Sequence, residues 1–410
     1  MHIAPRQVVV ALASLMFIST FATAQSEWEL ARREEIRIWI DALLSDADSR
    51  SSLLGQGLNA GWDKHFFIQS ADGDYRLEFS GQMQTQYLYN HQDDSIDDDS
   101  RGGFQTRRLK LTFDGHLIDP SIQYKASIDI KGSKQRGSDA YITKTFENNL
   151  RLRVGQFKPP FLYEVLISSK RQLTVDRSLI ANQRDFDQNR TLGIELGSTG
   201  ERMKWAIMYH QGFDTDRTSA LDEDTEYAAT GRVDFLLAGT WRQLGDFTSW
   251  RGDPFAARIG AAFAIEEDEY GTSTGPEVRR LGWTIDGSLE FGGSNLFGAI
   301  MGIHVSADGL PDHDRYACIV QGGHFVSDDI EIFARYEWAD LDESGVENLN
   351  LLTLGFNRYF SKHSLKWTTD VGYSFNAIDP LLAVDSVGWR EDSPGEDGQI
   401  LIRTQFQLLF

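Results

Sequence analysis

The sequence of 410 residues predicts an all-β protein, a 16-stranded antiparallel transmembrane β-barrel preceded by a short N-terminal amphipathic helix. Three observations predict this fold: apolar and polar residues alternate after Asp74, the alternating segments number 16, and long and short connections follow one another between them. A soluble sandwich also alternates along its strands, but it gives no reason for long and short connections to segregate. Abundant Gly (37) and scarce Pro (9) suit strands and turns.

The first 24 residues predict a secretory signal peptide that is removed before Gln25. Arg6 supplies a positive charge, Val8 to Phe21 form an apolar stretch, and Ala22-Thr23-Ala24 ends it with an A-x-A pattern. The alternative, a short membrane anchor, requires about 20 apolar residues. The rest of the chain has no long uncharged apolar run, which excludes membrane-spanning helices.

The segment from Glu27 to Ser45 predicts one amphipathic helix outside the main fold. Its apolar residues recur at roughly helical spacing among charges: Trp28, Ala31, Ile36, Trp39, Ile40 and Leu43. We therefore divide the chain into a signal peptide (1–24), an N-terminal periplasmic helix with its linker (25–60) and an outer-membrane β-barrel (61–410). An even number of strands returns both termini to the periplasmic side.

Alternation with a period of two is clearest in three early segments and in the last one. Their apolar faces carry Leu77, Phe79, Gly81, Met83, Thr85 and Tyr87; Leu109, Leu111, Phe113, Gly115 and Leu117; Ile122, Tyr124, Ala126, Ile128 and Ile130; and Ile400, Ile402, Thr404, Phe406, Leu408 and Phe410. The residues between them in the three early segments are polar. In a barrel of 16 strands these polar faces line the lumen, which at this size is an aqueous channel.

The connections between segments divide into two classes. The long ones span about 91–103, 132–138, 158–190, 211–225, 267–280, 307–314, 340–348 and 377–399. Short turns fall between them, and one near 240–254 is longer than this rule allows. Long loops on one rim and tight turns on the other are typical of outer-membrane barrels.

Aromatic residues near the strand ends support a membrane location as a group, because such residues favour the level of the lipid headgroups. They are Tyr87, Tyr89, Trp283, Phe291, Phe297, Trp338, Tyr359, Phe360, Trp367 and Phe406. The terminal Phe410 resembles the C-terminal signal of bacterial outer-membrane proteins.

The chain has a formal charge of −21, but one region of it is basic. Residues 101–190 contain 17 Lys or Arg against nine acids, whereas the rest of the chain has 23 basic and 52 acidic residues. Alternation points six of these cations into the lumen: Arg108, Lys110, Lys125, Lys131, Arg151 and Arg153. Rings of Lys and Arg select anions in pores, and the planar fork of Arg binds two oxygens of a phosphate or carboxylate. The alternative is that the cations pair with Asp114, Asp129 and other acids opposite.

The connection from Lys158 to Arg190 is too long for a surface turn and carries its own apolar residues, from Phe161 to Ile167. Such loops usually have a function, and we expect this one to fold into the pore and narrow it; an ordinary external loop is the alternative. Its basic residues join the pore-lining set: Lys158, Arg171, Arg177, Arg184 and Arg190.

Several motifs resemble the phosphate-selective porin O/P family: Gly155-Gln156-Phe157-Lys158-Pro159-Pro160-Phe161, then Glu164, Ser168-Ser169, Asp176-Arg177-Ser178-Leu179 and Arg190-Thr191-Leu192-Gly193, with Gly61-Trp62-Asp63-Lys64 and Asp72 to Leu77 before them. The resemblance covers roughly residues 60–410 and is strongest over 60–200. It implies a 16-stranded outer-membrane porin, commonly a homotrimer, in which the 158–190 loop constricts a lumen lined by arginines. The acidic character of the remaining chain departs from the dense basic ladder of that family.

Other functional classes find little support. A single cysteine, Cys318, excludes a disulfide scaffold and a cysteine-ligated metal site, and the acidic balance argues against nucleic acid as a partner. The sequence has no H-E-x-x-H motif and no Gly-x-Ser-x-Gly elbow, so we predict no enzyme, no catalytic residue and no cofactor. The acidic loops, such as Asp93 to Asp99, are read as solvated; a metal-bridged contact with lipopolysaccharide is the alternative.

Taken together, these features predict a passive channel of the Gram-negative outer membrane that prefers phosphate or other oxyanions. Its expected partners are outer-membrane lipid, lipopolysaccharide and small anionic solutes. The competing hypothesis is a general porin, non-specific or admitting sugars, in which aromatic residues near the lumen matter more than arginines.

Overall fold

The computed structural model describes residues 58–93, 99–131, 134–182, 190–213, 225–269, 277–393 and 396–410. The predicted signal peptide and the predicted 27–45 helix lie outside the described residues. One compact unit, residues 60–69 and 73–410, contains the barrel. The described part of a second unit consists of residues 58–59 and 70–72.

None of the helices in the described ranges has both the length and the apolar character needed to cross a membrane.

Two short strands precede a barrel of sixteen. The strands are β1 (Leu58–Asp63), β2 (His65–Ser70), β3 (Arg76–Gln92), β4 (Asp99–Leu117), β5 (Asp119–Lys131), β6 (Lys134–Thr145), β7 (Leu150–Phe157), β8 (Thr191–Thr199), β9 (Met203–His210), β10 (Thr225–Ala238), β11 (Ala256–Glu269), β12 (Glu277–Glu290), β13 (Ser294–Ala307), β14 (His313–Phe325), β15 (Ile330–Asp340), β16 (Leu349–Ser361), β17 (Leu365–Ser374) and β18 (Ile400–Leu409). Short helical turns occur at α1 (Tyr163–Leu166) and in 3₁₀ form at Ser169–Arg171, Ile180–Asn182, Gln243–Gly245 and Asp385–Val387.

Strands β3 to β18 pair antiparallel with their neighbours in chain order, and β18 pairs with β3 to close the barrel. The closing register runs from Ile400 opposite His91 to Leu409 opposite Gln82. The predicted closed antiparallel barrel of 16 strands is confirmed. Closure leaves no sheet edge with unpaired backbone groups, as a bilayer requires.

The C-terminal residue has a structural role at this seam. The backbones of Gly81 and Phe410 exchange hydrogen bonds of 2.6 and 3.1 Å. A Cβ atom at position 81 would lie 2.2 Å from the Phe410 ring, so only Gly leaves room for that ring. Phe79 lies beside the same ring, with 6.5 Å between centroids. The terminal aromatic residue therefore packs the junction between the first and last barrel strands.

Connection lengths follow the predicted division into two rims, with one correction. The predicted long connection at 132–138 was wrong, because β5 extends to Lys131 and β6 begins at Lys134, which leaves two residues between these strands. Each connection on the short-turn rim has at most four residues except 239–255, which is the exception expected from the sequence. Residues 158–190 and 375–399 are the long connections that follow β7 and β17 on the opposite, long-loop rim.

The outer face of the barrel is apolar. Ile285, Ile300 and Val320 on neighbouring strands are each about half exposed, and aromatic residues such as Phe291 and Phe406 lie nearer the strand ends. An aliphatic band between aromatic girdles matches the hydrocarbon core of a bilayer and its two interfaces.

Two residues of the predicted aromatic girdle point inward instead. The side chain of Phe297 is 2% exposed and packs against Phe247, with 4.8 Å between ring centroids. Tyr359 is also buried, and its hydroxyl donates to Glu331 at 2.6 Å. The prediction that these two rings face the headgroups was wrong, because position near a strand end does not decide which face a side chain occupies.

The inner face is not uniformly polar. Along β11, β13, β14 and β15 it carries Ala262, Ala264, Phe297, Ala299, Met301, Ile303, Ala317, Ile319 and Phe333, which belong to one buried apolar cluster. Residues of four connections complete this cluster, among them Phe161 and Leu173, Phe247, Leu341, and Trp389. Part of the lumen is therefore a packed core.

Placing a charge on the outer face should destabilise the barrel. We expect Ile300→Arg, in the middle of β13, to lower the free energy of unfolding by about 2–4 kcal/mol, because the guanidinium would meet hydrocarbon. Ile300→Leu, which keeps an apolar side chain, should be neutral. Urea unfolding of the reconstituted protein measures both, and an equally small effect of the two substitutions would contradict the assignment of this face to lipid.

Candidate functional site

Residues 158–182 of the 158–190 connection, here called the constriction loop, cross the lumen. The loop leaves the barrel wall after β7. Gln84 of β3 donates to the Ser169 carbonyl at 3.3 Å, and Asn357 of β16 donates to the Leu173 carbonyl at 2.8 Å. The Leu179 amide donates to Glu337 of β15 at 2.5 Å, and β15 lies eight strands from β7, on the opposite side of the closed barrel. The loop therefore spans the interior, and the prediction of an inward-folded loop is confirmed.

One buried carboxylate fastens this loop to the barrel wall. Asp176 pairs with Arg108 at 2.7 Å and also with Arg107, and all three side chains are at least 90% buried. The strand supplies both cations because β4 contains a β-bulge: Gln84 lies opposite Arg108 and Thr85 opposite Thr106, which leaves Arg107 as the extra residue. Strict alternation would have turned Arg107 outward.

The charge state of Asp176 follows from these neighbours. Burial by itself would raise the pKa of its carboxyl, but the adjacent Arg107 and Arg108 guanidinium groups hold that pKa well below its usual range. The ionised Asp176 carboxylate stabilises the docked loop fully above the ordinary Asp pKa of about 4. This stabilisation is lost only as the pH falls through the lowered pKa of the folded protein. The carboxylate therefore remains ionised and paired at neutral pH.

Further contacts give the loop a defined internal shape. Glu164 of α1 accepts hydrogen bonds from the Ser178 amide at 2.8 Å and the Ser178 hydroxyl at 2.5 Å. Arg177 donates to the carbonyls of Glu164, Val165 and Ile167 at 2.8–3.3 Å. These are residues of the motifs on which the family resemblance was based, and in the structure they hold two turns of the loop together.

A cavity of about 560 Å³ lies between the constriction loop and strands β3 to β7. Among the described residues, its wall contains eight Lys or Arg side chains and two Asp side chains: Lys110, Lys125, Arg153, Lys158, Lys170, Arg171, Arg177 and Arg190 against Asp114 and Asp139. We call this space the cationic cavity. Its size and its excess of positive charge suit a hydrated anion or an anion larger than a single phosphate.

Carboxylates near the cavity are shared between its cations. Asp139 accepts a hydrogen bond from Arg190 at 2.6 Å and pairs with Lys125 at 2.9 Å. Lys110 pairs with Asp129 at 3.6 Å. The predicted alternative of pairing with neighbouring acids therefore holds for some of the cations.

Crowding of positive charge is evident at Lys158, whose ammonium donates to the Val165 carbonyl. Burial, followed by the nearby charges of Arg177 and Arg190, lowers the pKa of Lys158 well below its ordinary value. Burial and then Arg171 likewise lower the pKa of Lys170. An anion in the cavity would offset this repulsion and favour the charged form of both lysines.

A second cavity of about 210 Å³ adjoins the first toward the short-turn rim. Arg153, Lys158 and Leu166 line both cavities, and Arg151, Lys204 and Arg232 line the second alone. The Arg153 guanidinium lies over the rings of Tyr141 and Phe157, 4.7 and 4.9 Å from their centroids, which holds it between the two spaces.

The structure brings together seven of the ten predicted pore-lining residues around the cationic cavity: Lys110, Lys125, Arg153, Lys158, Arg171, Arg177 and Arg190. Arg151 lines the second cavity and donates to Glu195 at 3.1 Å. Arg108 faces the lumen as predicted, but it is buried against Asp176. Arg184 and the side chain of Lys131 lie outside the described residues.

Sequence reasoning missed two groups of lumen residues. Lys170 lines the cationic cavity, and its place directly after the Ser168-Ser169 motif could have indicated it. A further set of arginines is paired with buried carboxylates. Arg258 and Arg232, which also lines the second cavity, pair with Asp286, and Arg403 donates to Asp370 at 2.8 and 2.9 Å. Each sits on the inward register of its strand, so alternation applied to β10, β11 and β18 would have found them.

Comparison with known proteins agrees with this geometry. The sequence model of the family described as phosphate-selective porin O and P matches residues 79–280. An uncharacterised protein of Aquifex aeolicus (strain VF5) is 24% identical over 289 residues. The alignment covers 64% of this chain and spans 64% of the length of that relative.

Solved structures of outer-membrane proteins share the fold at low sequence identity. An anion-selective porin from Comamonas acidovorans is 15% identical, with 82% of this chain and 99% of that chain covered and a TM-score of 0.56. OmpF of Salmonella typhi in complex with daunomycin is 13% identical, with 82% and 98% covered and a TM-score of 0.54. OmpT of Vibrio cholerae in a trimer form is 14% identical, with 81% and 98% covered and a TM-score of 0.52.

Removing the anchoring carboxylate should loosen the constriction loop. Asp176→Asn leaves Arg107 and Arg108 buried without a counter-charge, and breaking a buried pair in this way costs about 3–5 kcal/mol. We expect a lower free energy of unfolding in urea and added noise in single-channel current. Asp328→Asn is the control, because Asp328 pairs with Arg251 on the exposed rim and should contribute little. Equal effects of the two substitutions would contradict the anchoring role.

Proposed function

We propose that this chain, whose residues 79–280 match the sequence model of the phosphate-selective porin O and P family, forms a passive, water-filled channel in the outer membrane of a Gram-negative bacterium. The channel prefers anions, namely phosphate or other oxyanions, and works down a concentration gradient without a cofactor. The observation that carries this proposal is the cationic cavity, where eight Lys or Arg side chains face two Asp side chains. Cationic linings of this kind select anions in pores.

The arrangement of the cations supports movement as well as binding. Two cavities lie in series, and Arg153 and Lys158 belong to both, so an anion that leaves one can meet the other without losing contact with a cation. Conduction requires sites that bind well enough to admit the ion and weakly enough to release it. Asp139 and Glu195 each pair with two cations, which reduces the positive electrostatic potential in each cavity.

The competing hypothesis, a non-specific or sugar-admitting porin, depends on aromatic surfaces along the path. The rings of Tyr163, Phe297 and Tyr359 are instead part of the packed side of the lumen. Tyr141 and Phe157 do line the cationic cavity, but the Arg153 guanidinium lies over both rings. This arrangement favours an anion over a sugar as the solute.

The assembly and topology of the protein are part of the same proposal. A homotrimer is supported by the family and by the trimer form of OmpT of Vibrio cholerae. We place both termini in the periplasm, with residues 1–24 as a signal peptide and 27–45 as a periplasmic helix, and we assign outer-membrane lipid and lipopolysaccharide as partners. The family and the fold are those of channels, and we propose no enzymatic activity.

Ion selectivity tests the proposal directly. In a planar bilayer under a potassium chloride gradient, the reversal potential should take the sign of the chloride equilibrium potential, because the cationic wall admits chloride and repels potassium. Added phosphate should reduce the chloride current. A reversal potential with the sign of the potassium equilibrium potential would end the proposal of anion preference.

The role of Arg153 can be tested by phosphate block. A charge-assisted hydrogen bond contributes about 1.5–3 kcal/mol, and about 1.4 kcal/mol corresponds to tenfold in affinity, so Arg153→Gln should raise the half-blocking phosphate concentration by about tenfold or more. Arg76→Gln is the matched control, because Arg76 pairs with Glu78 and lines neither cavity. Absence of any shift in Arg153→Gln, or an equal shift in both variants, would show that Arg153 does not bind phosphate.

A further inference from the structure

The connection between β10 and β11, here called the inner turn (residues 239–255), is longer than every other connection on the short-turn rim. The others have at most four residues, whereas this one is long enough to fold back on the barrel. Leu244, Phe247, Thr248 and Ser249 are all buried to at least 97%. A connection whose centre is this buried is part of the interior of the barrel and not a surface loop.

The inner turn crosses the mouth of the barrel from β10 toward β16. Phe247 packs against Phe297 of β13, with 4.8 Å between ring centroids. Trp250 packs edge-on against Tyr359 of β16 at 4.8 Å, and the hydroxyls of Thr248 and Tyr359 are 3.2 Å apart. The turn therefore covers the β11–β16 side of the lumen from the short-turn rim, below the constriction loop.

The inner turn also contacts the constriction loop at two points. The Tyr163 hydroxyl donates to the Leu244 carbonyl at 2.5 Å. The Phe247 amide donates to the Arg171 carbonyl at 3.4 Å, and the Arg171 guanidinium donates to the Gly245 carbonyl at 3.4 Å. Arg171 lines the cationic cavity. The inner turn therefore holds one cation of the proposed anion path, and it does so from the short-turn rim.

We propose that the inner turn is a second constricting element, which closes the β11–β16 side of the lumen and positions Arg171 in the anion path. Solutes then pass only along the barrel strands β3–β10, where both cavities lie. The inference rests on the proposed channel function, but it assigns pore size and the placement of Arg171 to a segment that lines neither cavity. Arg171 contacts the anion, and the inner turn is a positioning element.

The test is a shortened turn. Residues 241–253 are replaced by Asn-Gly, a pair that favours tight hairpin connections. Single-channel conductance should at least double, larger neutral polymers should enter the pore, and the chloride-to-potassium permeability ratio should fall toward one. Arg251→Gln, in the same turn but half exposed beside Asp328, is the control and should behave like the wild type.

Positioning of Arg171 has its own readout in a double-mutant cycle. Arg171→Gln should weaken phosphate block in the wild type and should add nothing in the shortened-turn variant. If the shortened variant does not assemble, Phe247→Ala with Trp250→Ala keeps the backbone of the turn and should change conductance in the same direction. Wild-type conductance and polymer cut-off in an assembled variant would overturn the inference, as would additive effects in the cycle. Cation preference of the wild type would instead refute the proposed function, so the two failures are distinguishable.

Discussion

The organisation of the lumen depends on one buried contact, the carboxylate of Asp176 between the guanidinium groups of Arg107 and Arg108. A buried carboxylate is stable only when its lost hydration is replaced by close charges and hydrogen bonds, and the bulge in β4 provides two such charges from one strand. The contact fixes the middle of the constriction loop against the wall. It also withdraws two arginines from contact with solutes, so the basic region contributes both structure and a path.

Charge balance differs between the two sides of the lumen. On the packed side, arginines meet carboxylates closely, as Arg403 does with Asp370, and apolar residues such as Phe297 fill the remaining space. On the open side, cations outnumber acids around the cationic cavity. The same residue type thus closes one half of the barrel and, in our proposal, conducts anions through the other. The ratio of cations to nearby carboxylates decides which role each arginine has.

Local patterns were sufficient to predict the sixteen barrel strands, the general division into two rims and the inward loop, because alternation and connection length are properties of neighbouring residues. They did not indicate the short strands β1 and β2. They failed where partners are distant in the chain. Asp176 meets Arg108 across 68 positions, and no local pattern indicates that pair. The bulge that turns Arg107 inward breaks the alternation on which the prediction relied. One local signal was available, since β13 is apolar on both faces around Phe297 and Ile300, which indicates a packed interior.

In the proposed channel, anions cross the barrel only on the β3–β10 side, and thiol modification can distinguish this side from the packed one. In a Cys318→Ser background, the matched substitutions Thr112→Cys, in the wall of the cationic cavity, and Thr284→Cys, buried on the inner face of β12, are exposed to a sulfonate-bearing methanethiosulfonate during current recording. We expect the anion current of the Thr112→Cys variant to fall rapidly and the thiol of the Thr284→Cys variant not to react. Equal reaction at both positions would contradict passage of anions on one side of the lumen only.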